Sequence, residues 1–163
     1  MTAQAPVTAT PSAVLPAHVD QRLARATAGL CRDHPALAAT VRGVLAPLRD
    51  RLYRLHAACR QADDQAWAAY TADLDRGLDE LSVEVQRAGT ERAADDVLTA
   101  AAARLELRAW QLRLDTLRAE GRDVATAQQV ADSLTAALAA GQPVRPGPDL
   151  AALRQAGSTP DRG

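Results

Sequence analysis

The sequence predicts an all-α protein, an antiparallel helical bundle of four main helices with a fifth packed on the long fourth and flexible termini. Three observations predict it. Ala fills 38 of 163 positions and Leu 21, and both are strong helix formers. Apolar residues recur three and four apart through most of residues 16–141, the spacing of one helix face. Gly, Pro, Asp and Thr interrupt that pattern where a helix would start or stop. Ile, Phe, Lys and Asn are absent altogether. Their codons are rich in A and T, so the gene reads as one from a GC-rich genome. The physical consequence is a core built from Leu, Val and Ala, and a surface whose cations are all Arg.

The elements follow in order. Residues 1–15, rich in Pro, Thr and Ala, predict a flexible arm. Pro16 opens a first helix to about Asp33, with Val19, Leu23, Ala26 and Leu30 in one stripe. Asp33 is placed to cap a second helix and Pro35 to sit in its first turn. That helix runs to about Gln61 on the face of Leu37, Val41, Leu45, Leu48, Leu52, Leu55 and Cys59. Pro47 lies within it and predicts a kink, because it removes a backbone bond and crowds the Gly43 carbonyl. Asp63 and Asp64 cap a third helix, about 64–89, with Trp67, Tyr70, Leu74, Leu78, Leu81, Val85 and Ala88 on one face. Gly89 ends it. Thr90 caps a fourth helix of about 30 residues, closed by Gly121. Asp123 caps a fifth, about 124–140. Within the fourth, Arg104 to Asp115 alternates as a strand would, but alanines precede it and no partner strand exists. Residues 142–163 read as a Pro/Gly linker followed by a short helix or tail. The bundle domain is therefore 16–141.

Short connections predict antiparallel neighbours. The fourth helix carries two apolar stripes on nearly opposite sides. Leu98, Ala101, Leu105 and Leu112 make one; Ala103, Leu107, Trp110, Leu114 and Leu117 make the other. The fifth helix is the expected cover for the second, with a partner subunit as the other way to bury it. Arg42, Arg49 and Arg60 on helix two face the expected position of Asp73, Glu80 and Glu84 on helix three, which predicts cross-helix ion pairs.

For function the sequence gives classes rather than an activity. A net charge of −1 gives no general attraction to nucleic acid. No apolar run is long enough for a membrane span. The N-terminus lacks a secretory pattern, so a cytoplasmic location with reduced thiols is the expectation. Cys31-x2-His34 and His56-x2-Cys59 would form a Cys2His2 site only if the chain reversed between Gly43 and Pro47. A continuous helix two separates the pairs, so no metal is expected. Tyr53, His56, Trp67 and Tyr70 are the candidate lining of a ligand pocket between helices two and three. No cofactor is expected, and no catalytic arrangement such as HExxH occurs. The reading that results is a non-catalytic bundle acting through protein–protein interaction in a regulatory or adaptor role. Its partner is another protein or a second copy in a homodimer. The interface candidates are Leu107, Trp110, Leu114 and Leu117, with Leu150 and Leu153 after the linker. The alternative is a bundle that binds a small molecule or cofactor.

Overall fold

The computed structural model describes residues 11–59 and 62–141, with side chains from residue 17 onward. Among them five helices follow one another: α1 (Pro11–Asp33), α2 (Ala38–Ala58), α3 (Asp64–Ala88), α4 (Glu91–Ala119) and α5 (Ala125–Ala139). A 3-10 turn at Pro35–Leu37 precedes α2. The described residues contain no strand, and Arg104 to Asp115 lies inside α4. None of their helices is long and apolar enough to cross a membrane.

The expected caps are largely in place. The Asp63 carboxylate accepts the Ala66 N–H at 2.7 Å, and the Thr90 hydroxyl accepts that of Ala93 at 3.2 Å. Each satisfies a donor that the first helical turn leaves free. Gly89 ends α3 at φ 72°, a left-handed conformation that a Cβ would strain. Three boundaries differ from expectation. Helix α1 begins at Pro11 rather than Pro16. Asp33 caps nothing: it is the last residue of α1, and His34 sits at the start of the next turn without a side-chain cap. The His34 N–H still bonds back to the Leu30 carbonyl, so α1 runs on until one residue is left for the turn. Asp123 stands one residue further out than a cap, yet its carboxylate takes the Ala125 N–H at 2.9 Å.

The packing order is not the chain order. Helix α1 packs on α2 and α3, α4 packs on α2 and α3, and α5 packs on α4. Helices α2 and α3 therefore occupy opposite corners of the four-helix core and meet only near their joined ends. Ion pairs give the directions. Arg22 of α1 reaches Asp75 and Asp79 of α3, both at 2.8 Å, and His18 reaches Asp75, so α1 and α3 run parallel. Arg51 with Glu106, and Arg113 with the Ala58 carbonyl, set α2 parallel to α4. Arg49 with Asp20 joins α1 to α2, and Arg104 with Glu84 and Arg108 with Asp73 join α3 to α4, in the antiparallel sense. The pairing expected between α2 and α3 is thus corrected: α3's acids meet arginines of α1 and α4, because the diagonal keeps α2 away. Arg60 lies outside the described residues.

The core is continuous. Every apolar position named on α3 from Trp67 to Val85 is buried, as are Val41 to Cys59 on α2. Helix α4 stands at the centre with both its stripes covered. Leu98, Leu105 and Leu112 belong to the four-helix core; Trp110, Leu114 and Leu117 are also buried, and α5 is the helix packed outside. At 1.5 Å per residue, α5's 15 residues cover about 22 Å of the roughly 43 Å of α4.

Two helical glycines are expected to answer alanine in opposite ways. A Cβ at Gly43 meets nothing within 4 Å, whereas one at Gly77 comes within 2.9 Å of Leu105 Cδ2. Gly43→Ala should stabilise by about 0.5–1 kcal/mol through backbone entropy. Gly77→Ala should yield no gain, because the buried Leu105 would have to shift at the α3–α4 contact. Urea midpoints that rise equally in both variants would contradict that close approach.

Candidate functional site

The expected ring cluster forms, except for one member. His56, Trp67 and Tyr70 meet edge to face with centroids 5.2 to 5.8 Å apart. They are 3%, 0% and 0% exposed, whereas Tyr53 is 67% exposed and points away from them. His56 Nε2 and the Tyr70 hydroxyl lie 2.6 Å apart. Burial pushes the His56 pKa down from 6.5 to about 4 and lifts the Tyr70 hydroxyl well above its ordinary range. A neutral imidazole and an un-ionised phenol therefore share one hydrogen bond inside the core. The Trp67 and Trp110 indole N–H groups are buried with no acceptor among the described residues. An unpaired buried donor costs about 1–3 kcal/mol. A core without Phe takes its large rings from Trp and Tyr, and these bring polar atoms with them.

The four Cys and His candidates stay apart. Helix α2 continues through Pro47 without a reversal. Cys31 and His34 therefore lie at one end of it and His56 and Cys59 at the other, about 31 Å away. Cys31 Sγ lies 3.8 Å from the Ala38 carbonyl. Cys59 is fully buried, and burial lifts its thiol pKa from 9.0 to about 11, so it stays protonated. Among the described residues no three metal-binding side chains converge.

Of the interface candidates, Trp110, Leu114 and Leu117 are buried and Leu107 is half-buried against the core. Leu150 and Leu153 lie outside the described residues.

One polar site escaped the sequence reading. Arg51 Nε donates to Glu106 Oε2 at 2.9 Å between α2 and α4, with side chains 11% and 5% exposed. Every other ion pair among the described residues has at least one side chain more than a quarter exposed. The pair borders a cleft of about 70 Å3 whose remaining walls are Gly43, Val44, Pro47, Thr99, Ala102 and Ala103. The signal was present. Arg51 falls three residues after Leu48 and four before Leu55, and Glu106 falls four after Ala102 and four before Trp110. Each charge stands inside an apolar arc. Two apolar side chains would be as stable or more so in such a position, so this pair is a candidate for a role beyond packing.

A second surface is set by α2. Its outward side carries Arg42, Ala46, Arg49, Tyr53, Arg54 and Ala57, all exposed. Arg49 pairs with Asp20, while Arg42 and Arg54 have no acidic partner among the described residues. Tyr53 rises between two alanines, four and seven residues away on the same side.

Set beside protein-family models, curated proteins and solved structures, the chain matches none of them.

Proposed function

We propose that this chain is a non-catalytic bundle that acts by docking another protein, and that the outward face of α2 is the docking surface. The observation that carries this reading is Tyr53, 67% exposed, with Arg42, Arg49 and Arg54 around it. Tyr and Arg are the residue types that concentrate binding energy at protein interfaces, and a tyrosine loses little rotamer freedom when it is covered. Three arginines against Asp50 and Asp20 favour a partner with an acidic surface.

Tyr53→Ala is expected to leave unfolding free energy within about 0.5 kcal/mol, since it removes no core contact. It should weaken partner binding by about 30-fold, the effect of losing a contact worth roughly 2 kcal/mol. A photo-crosslinking aromatic placed at Tyr53 in the native host tests the surface directly. Val83, the other exposed large apolar side chain among the described residues at 46%, lies on α3 and serves as the control. A discrete adduct from position 53 and none from position 83 supports the reading. No adduct at 53, or the same pattern from both, sinks it. Sedimentation over a range of concentrations separates self-association from a different partner.

A further inference from the structure

The cleft between α2 and α4 lies on the flank of α2 away from Tyr53 and poses a separate question. Four of its groups have unused hydrogen-bonding capacity. Arg51 bonds through Nε alone, so Nη1 and Nη2 have no partner among the described residues. Glu106 uses Oε2, leaving Oε1. Thr99 makes no side-chain hydrogen bond among the described residues, and it is half-buried. Pro47 has no N–H, so the Gly43 carbonyl four residues earlier lacks its intrahelical donor. None of the side-chain atoms is sealed off. The only fully enclosed side-chain polar atoms without a partner among the described residues are the two indole nitrogens.

These groups define what fits. Donors stand on one side, from Arg51. The acceptors among the lining residues are Glu106 Oε1 and the carbonyl of Gly43 that Pro47 leaves without a donor. The charges of the pair cancel, so a simple anion meets the Glu106 carboxylate and a simple cation meets the guanidinium. Val44, Pro47, Ala102 and Ala103 supply an apolar wall. A water needs roughly 10–15 Å3, so about 70 Å3 admits a molecule of about five heavy atoms. We propose that this cleft binds a small zwitterionic amino acid, its carboxylate on Arg51 and its ammonium group on Glu106 and the Gly43 carbonyl.

The test is a titration of the isotope-labelled full chain with glycine, followed by backbone amide shifts. Acetate and methylammonium, each carrying half of the zwitterion, are titrated in parallel. The expected result is saturable shifts confined to Gly43, Thr99, Ala102, Ala103 and their neighbours. Glycine should bind at least tenfold more tightly than either half. Thr99→Leu, which fills the cleft and leaves the ion pair alone, should abolish the shifts while the rest of the spectrum is kept. Shifts that never saturate or spread over the surface would overturn the proposal. So would binding of acetate or methylammonium as tight as that of glycine, or glycine binding that survives Thr99→Leu. Crosslinking at Tyr53 is read independently, so failure here leaves the docking surface standing or falling on its own result.

Discussion

Replacing Glu106 alone by leucine is expected to lower the unfolding free energy by about 3–5 kcal/mol, enough to threaten the fold of a domain this size. The carboxylate is 5% exposed and its only bonded partner among the described residues is Arg51, itself 11% exposed. Removing it leaves a guanidinium between two helices with neither an acid nor full hydration. Arg51→Met together with Glu106→Leu should behave oppositely. With both charges gone, desolvation is relieved as well, and replacements of this kind are often neutral or stabilising by about 1–4 kcal/mol. Urea unfolding of the two variants decides it. A Glu106→Leu protein as stable as the parent would mean that Arg51 escapes to solvent. A double variant as weak as the single one would mean that α2 and α4 need the pair to hold their parallel register.

The second large effect is a loss of stability on mild acidification, centred on His56. Its pKa falls from 6.5 to about 4 in the fold, because burial beside Trp67 and Tyr70 disfavours the cation. The sign follows from proton counts. Between those two values an unfolded chain binds a proton on this residue and the folded chain does not. Each step down in pH therefore favours unfolding, and the loss is complete near pH 4. At about 1.36 kcal/mol for each pH unit this amounts to about 3 kcal/mol. Carboxylates act lower on the scale. The Arg108 hydrogen bond holds Asp73 below its ordinary 3.8. For Asp75, burial raises the pKa but the Arg22 and His18 hydrogen bonds outweigh it. Their stabilisation is present above about 3.8 and is lost as pH falls further. Denaturant titrations from pH 7 to 4 on the parent and on His56→Leu separate the two windows. A parent whose stability stays flat over that range would contradict the burial of a neutral imidazole.

Much of the fold was legible because each helix carries its own face and its own stop signals. The Trp67 to Val85 face is buried residue for residue, and Asp63, Thr90 and Gly89 act where their chemistry places them. Periodicity is a local property and the sequence states it directly. Which helices touch is not local. The expected ion pairs of Arg42 and Arg49 with helix three failed because one short link carries the chain across a diagonal. Only pairwise packing reveals that. The ring cluster divided for a similar reason. His56, Trp67 and Tyr70 fall on the inward arcs of their helices, and Tyr53, three residues before His56, falls on the outward arc. The Arg51–Glu106 pair was hidden by habit: an arginine among five charges on a helix reads as surface unless its angle is set against the leucines beside it.

The diagonal arrangement also bears on how the chain reaches this state. Helices α1 and α2 form one hairpin and α3 and α4 another, and within each the contacts join residues close in sequence. Contacts at short separation cost little loop-closure entropy, so docking of one hairpin on the other, through α1 with α3 and α2 with α4, is expected to come late. Nothing in that docking distinguishes a hairpin of the same chain from one supplied by a second chain. A pair of molecules that exchanged hairpins would re-form the α1–α3 and α2–α4 contacts between chains, so dimer is expected to rise with the concentration at which the chain is refolded, which sedimentation after refolding checks.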